Sequence, residues 1–249
     1  TYNQVTLLKK LRKKIEIYQD PKKRIEKNNI ELNKVFNENQ ANILRQLNRN
    51  KKCIIEGPAG TGKTMLAIEM AKRNALQGKK TLFICFNTYF GNYLKKIEKE
   101  INESVGCEGQ EKIIYFYTAN SLYAKIVNEI DTPIKFLKTK VFEKLLNNEV
   151  ASFLERSCDN LIIDEFQDLL KKEDIEILDL FFEKGLKNTS YYLFGDFYYQ
   201  DVQNFDKEKM SIDNFTEDYP STIFELNENC RNFPDVLDFS ANLCGFNPY

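Results

Sequence analysis

At 249 residues and 42% apolar content, the chain is long enough for one large α/β domain, with or without an appendage, and can bury a substantial core. It contains no histidine, which excludes imidazole triads, proton shuttles and His-ligated metals, and its six cysteines (Cys53, Cys85, Cys107, Cys158, Cys230, Cys244) lack C-x-x-C spacing. They read as reduced core thiols of a cytoplasmic protein rather than a zinc or disulfide framework. No apolar stretch approaches the roughly 20 residues that span a membrane, and no secretory leader is expected.

The net charge of −1 hides an asymmetry, because residues 1–27 carry nine Lys/Arg against three acidic residues, a net +6, leaving −7 elsewhere. Residues 1–35 form a basic, helical N-terminal segment or linker with two readings: contact with a phosphate backbone, or a solvated tether to an upstream domain. Because the chain begins at Thr1, it is expected to be a piece of a longer protein. Residues 36–249 form the main domain. Apolar segments at 52–56, 81–86, 113–117, 160–164, 190–195 and 222–226 are predicted strands, with helical patterns between them. That alternation implies an α/β fold: a parallel sheet with helices on both faces. Gln77-Gly78-Lys79-Lys80 closes the first helix, and the charged helical stretch near 134–156 is a small insertion.

Between the first strand and the first helix lies Gly57-Pro58-Ala59-Gly60-Thr61-Gly62-Lys63-Thr64, which fits G-x-x-x-x-G-K-[ST] at every fixed position. Met65, Leu66, Ile68, Met70 and Ala71 supply the apolar positions of the helix that follows. Glycines allow backbone N–H groups to turn inward around phosphate oxygens, and the helix N-terminus adds its positive dipole end. Lys63 is then expected to reach the β- and γ-phosphates of ATP, with the Thr64 hydroxyl on Mg²⁺. A hundred residues on, Leu161-Ile162-Ile163 reads as a buried strand delivering Asp164 and Glu165 to its carboxyl end. Asp164 suits Mg²⁺, and Glu165 suits orienting and deprotonating an attacking water. The two strings together describe a P-loop NTPase site.

The order of motifs resembles the first RecA-like motor domain of superfamily 1 helicases of the UvrD/Rep type, over roughly residues 36–249. Phe36-Asn37-Glu38-Asn39-Gln40 is similar to the Q motif of that family, which implies that Gln40 reads the adenine edge. Phe86-Asn87-Thr88-Tyr89 is similar to motif Ia and Tyr117 to Leu122 to motif Ib, with Asn120 where the family has histidine. The resemblance implies single-stranded nucleic-acid contacts at Asn87, Thr88, Tyr89, Thr118 and Asn120. Asp164-Glu165-Phe166-Gln167-Asp168 has the family's D-E-x-Q-D form, in which Gln167 links the hydrolysis site to the strand-binding side. Gly195-Asp196 and Gln200 resemble motif III, which implies a γ-phosphate sensor at Gln200; here three residues rather than two separate Asp196 from Gln200. The W-R-G-A tail is absent, leaving Tyr198, Tyr199 or Phe205 to stack on bases. Leu226-Asn227-Glu228-Asn229-Cys230-Arg231-Asn232 is close to L-x-x-N-x-R-[NS] of motif IV, which implies that Arg231 stabilises charge on the γ-phosphate.

The resemblance thus implies an ATP- and Mg²⁺-dependent ATPase/helicase domain acting on single-stranded DNA, with RNA as the other candidate strand. It also implies a second RecA-like domain in the parent chain, without which hydrolysis is slow. The competing expectation is an ATP-dependent switch that gates an attached or partner nuclease without processive unwinding. A small-molecule kinase would leave the motif matches after Glu165 without a purpose.

Overall fold

The computed structural model describes residues 42–47, 49–86, 88–105, 112–129, 134–150, 153–197 and 210–229. Six strands follow in chain order: β1 (Lys52–Glu56), β2 (Thr81–Cys85), β3 (Ile114–Thr118), β4 (Asn160–Asp164), β5 (Ser190–Gly195) and β6 (Thr222–Glu225). Between them run α1 (Lys63–Leu76), α2 (Thr88–Ser104), α3 (Ala119–Val127), α4 (Ile134–Leu146), α5 (Lys172–Phe181) and α6 (Ile212–Asp218). The strands form one sheet in the order β3-β2-β4-β5-β1-β6. Every pairing is parallel.

An all-parallel sheet is covered on both faces, so its strands read as continuous apolar runs. Ile54 faces one layer while Cys53 and Ile55 face the other, as the period of two requires. On the first face, Leu66, Ala67, Met70 and Ala71 of α1 pack with Leu94, Ile97 and Ile101 of α2 over Cys53, Ile55, Phe83 and Ile162. On the second, α3, α4, α5 and α6 contribute Leu122, Val141, Leu178 and Phe215, over Ile54, Ile84, Ile163 and Leu193.

Three predicted strands, 52–56, 160–164 and 190–195, have the observed bounds. The second ends one residue early, at Cys85, and leaves Phe86 43% exposed. The third runs from Ile114 to Thr118 rather than 113–117, because the Thr118 side chain takes up the N-cap of α3 at the strand's end. The sixth stops at Glu225, although the Leu226 N–H still donates to the Glu56 carbonyl at 2.8 Å. Within 134–156 the helix ends at Leu146, and a 3-10 turn at Leu154–Ser157 follows.

A buried polar knot ties three helices together. Asp174 of α5, fully buried, accepts from the Tyr123 hydroxyl of α3 at 2.9 Å and from Lys138 of α4 at 2.7 Å. Both carboxylate oxygens are thereby satisfied, which a buried charge requires. No helix among the described residues is long and apolar enough to cross a membrane.

Candidate active site

Because all strands run the same way, their carboxyl ends share one edge of the sheet, where ligands of open α/β sheets bind. Register sets Glu56 beside Gly195 on one side and beside Glu225 on the other, while Asp164 lies beside Phe194 and Cys85. The loop after β1 and the turn after β4 are therefore separated by one strand only, β5.

The loop Gly57–Gly62 turns on glycines: Gly60 has φ 90° and Gly62, which caps α1, has φ 87°. Such values favour a residue without Cβ. Helix α1 has no side-chain cap and no acidic residue in its first turn, so no acidic side chain of that turn offsets the positive end of its dipole. Within the described residues, no acceptor takes the N–H of Gly60, Gly62 or Thr64. Inside the loop, buried Lys63 donates to the carbonyls of Gly57 at 2.7 Å and Pro58 at 3.1 Å. The Thr61 hydroxyl donates to the Pro58 carbonyl at 2.9 Å and braces the same turn.

The two sequence strings meet where the Thr64 hydroxyl donates to Oδ2 of Asp164 at 2.7 Å. The other oxygen, Oδ1, is buried without a hydrogen-bond partner. Burial pushes the Asp164 carboxyl up to about 6; Glu165 adds to the rise, while the Thr64 hydrogen bond and Lys63 oppose it. Beside it, the Cys85 thiol is pushed up to about 12 by burial and by the Asp164 charge.

Glu165 sits in a left-handed turn, φ 58° and ψ 49°, that starts a 3-10 turn over Phe166–Asp168. That turn brings Gln167 back: its Nε2 donates to Oε2 of Glu165 at 2.7 Å and its Oε1 accepts the N–H of Asp196 at 3.1 Å. One amide thus spans the ends of β4 and β5. Gly195 leaves room for it, since a Cβ there would lie 2.8 Å from Oε1 of Gln167 and 2.6 Å from the Phe197 ring. Glu56, at the end of β1, is buried with Oε2 unpartnered, and its carboxyl is raised by burial and then by Glu225, Asp196 and Asp213.

Lys63, Thr64, Asp164, Glu165 and Gln167 are therefore gathered at one sheet edge. Thr118, at the end of β3, is buried and engaged in a capping box with Ser121, at 3.1 and 2.8 Å; Asn120, one residue into α3, is exposed. Thr88 and Tyr89 lie in the first turn of α2. Gln40, Asn87, Gln200 and Arg231 lie outside the described residues, as do Tyr198, Tyr199 and Phe205. Two contacts were not anticipated from the sequence: Leu226 closes over Gly57 and Asn229 over Gly60. The L-x-x-N spacing within the motif IV stretch is the signal that leads to both.

The profile of the ResIII family, described as type III restriction enzyme, res subunit, matches residues 1–195. A solved structure titled as the DUF1998 helicase MrfA bound to DNA matches over 80% of this chain, at 9% identity and a TM-score of 0.45. This chain spans 29% of that one. No curated protein matches at a comparable level.

Proposed function

The chain belongs to the type III restriction enzyme res-subunit family, of P-loop RecA-like motors in the helicase superfamily, and from that premise we propose that it binds and hydrolyses MgATP to drive work on single-stranded nucleic acid. The observation that carries the reading is the hydrogen bond between Thr64 and Asp164, across 100 residues of sequence. It joins the end of the phosphate loop to the end of β4, the two places where a triphosphate and its metal need ligands.

The residues fit Mg²⁺. Asp164 has a buried, unpartnered oxygen, and a hard cation takes oxygen ligands, commonly one or two carboxylates with substrate phosphates and water. Thr64 and Asp164 would hold the ion, which when bound neutralises charge on the β- and γ-phosphate oxygens. In this reading Lys63 exchanges its loop carbonyls for phosphate oxygens. Gly57 to Thr64 offer backbone donors, and Gln40 reads the adenine edge. Glu165 orients the attacking water and takes its proton, held in place by Gln167. Gln200 and Arg231 respond to the γ-phosphate.

The finer assignment, a first motor domain of superfamily 1 on single-stranded DNA, is supported by the order of motifs from Gln40 to Arg231. Asn87, Thr88, Tyr89, Thr118 and Asn120 are its proposed strand contacts, and a second RecA-like domain is its proposed partner. The family description names a restriction-enzyme subunit, which favours keeping a second reading: an ATP-driven switch for a nuclease.

Phosphate release from MgATP, measured with and without single-stranded DNA, tests the first step. Strand-stimulated release that disappears in Lys63→Ala is expected, and release that survives the substitution defeats the assignment. Strand displacement by the full-length protein separates the two readings, since a motor displaces and a switch alters nuclease activity without displacement.

A further inference from the structure

The segment after β6 forms a wall against the phosphate loop. A Cβ at Gly57 would stand 2.5 Å from the Leu226 carbonyl oxygen and 2.9 Å from its Cβ, so Leu226 lies directly on the loop's first residue. Three residues on, Nδ2 of Asn229 donates to the Ala59 carbonyl at 3.2 Å. The same amide covers Gly60, where a Cβ would lie 2.8 Å from both Nδ2 and Oδ1. Its orientation follows from chemistry, because only the NH₂ end attracts a carbonyl oxygen.

A planar trans peptide gives this contact its consequence. The C=O of Ala59 and the N–H of Gly60 belong to one rigid plane and point in opposite directions. A donor that holds the carbonyl on one side therefore holds the amide hydrogen to the other. Gly60 is buried, and its N–H has no acceptor among the described residues. Buried backbone donors almost always have a partner, and in a concave run of N–H groups that partner is an anion. Free rotation of the 59–60 peptide would let this donor turn away, since glycine at position 60 tolerates many conformations.

We propose that Asn229 is a positioning residue for phosphate binding: by holding the Ala59 carbonyl it fixes the Gly60 N–H as a donor to an oxygen beyond the α-phosphate of the bound nucleotide. The proposal rests on the MgATP reading above and deepens it. It makes the stretch between β6 and Arg231 part of the phosphate site through Asn229, 170 residues beyond the loop it touches.

The test is calorimetric titration of the full chain with MgATP and with AMP, together with the amide spectrum of Gly60. Asn229→Leu keeps the bulk over Gly60 and removes the donor without adding charge; Asn229→Ala removes both. Both variants are expected to bind MgATP about three- to tenfold more weakly, the range for one neutral hydrogen bond, and to lose the ATP-induced shift of the Gly60 amide. AMP affinity and the thermal midpoint of Asn229→Leu should stay at the original values, which separates aiming a donor from propping up the loop. Equal loss of AMP and ATP affinity, or a fall in that midpoint large enough to account for the loss, overturns the proposal. So does an Asn229→Leu protein that binds MgATP at the original affinity with the Gly60 shift intact. Lys63→Ala is the separate control: if it too binds MgATP unchanged, the MgATP reading itself fails.

Discussion

Glu165 occupies a left-handed backbone conformation that a residue with a side chain adopts at a cost of about 1–3 kcal/mol. The strain has a use, since the reversal after β4 returns Gln167 to hydrogen-bond Glu165 and the Asp196 N–H together. Glu165→Gln retains an acceptor for Gln167 and loses only the carboxylate proposed as the base. It should keep ATP affinity and fold while hydrolysis falls by about 10²- to 10⁴-fold, read by single-turnover phosphate release. Gly195→Ala acts on the same bridge from below, because its Cβ would meet Phe197 at 2.6 Å and Gln167 at 2.8 Å. Overpacking of that kind costs about 1–3 kcal/mol, and a lowered urea midpoint should report it. At this scale the meeting of Lys63, Thr64, Asp164 and Glu165 at one sheet edge was legible, because a G-x-x-x-x-G-K-T turn and an apolar strand ending in Asp-Glu fix both places by residue type and spacing. The contact of Asn229 was not, since β6 becomes a neighbour of β1 only through the order of the sheet.

Among elements, α4 is held by more than its apolar face. Lys138 sits 14% exposed against fully buried Asp174, and removing the ammonium leaves a buried carboxylate with Tyr123 as its remaining donor. Breaking a buried pair from one side costs about 3–5 kcal/mol. Lys138→Ala should therefore lower the thermal midpoint by about 10 °C, visible by calorimetry. A second polar cluster joins β3, α3 and the turn before β4: Tyr117 donates to Glu155 at 2.6 Å, and Lys125 donates to both. Burial alone would raise the Glu155 carboxyl, yet the hydrogen bonds from Lys125 and Tyr117 hold it below its ordinary value. A depressed native value means that this contribution is complete above the unfolded carboxyl range near ~4.3 and fades as pH falls through the native value. Stability against urea should thus decline below about pH 4.3, and the decline should be shallower in Lys125→Ala. None of this was legible in the sequence. Asp174, Lys138 and Glu155 lie on helices and turns rich in charge, where most such residues are solvated, and only packing distinguishes them. The strands were legible because burial on both faces leaves few polar positions in them; their ends shifted where Thr118 and Phe86 met a cap or solvent.

For the whole molecule, the thiols give a probe of integrity. Cys53, Cys85 and Cys158 are buried and stand outside any disulfide. Burial raises all three, Cys53 and Cys85 to about 12, so almost no thiolate exists at neutral pH. Alkylation of these three should be slow in the native protein and should appear cooperatively across the unfolding transition, as mass spectrometry after denaturant pulses would show. Their spacing already argued for core thiols, and the sheet gives the reason: Cys53 and Cys85 lie within strands whose two faces are both covered.

The order β5-β1-β6 also fixes a sequence of events during synthesis. The strand that carries the phosphate loop is made early, but its flanking strands come from residues 190–195 and 222–225. At ribosomal rates of about 5–20 residues per second, the loop waits roughly 10–30 s for the last of its walls. Nucleotide capture by nascent chains should begin only after β6 has left the exit tunnel, well after β2, β3 and β4 have emerged.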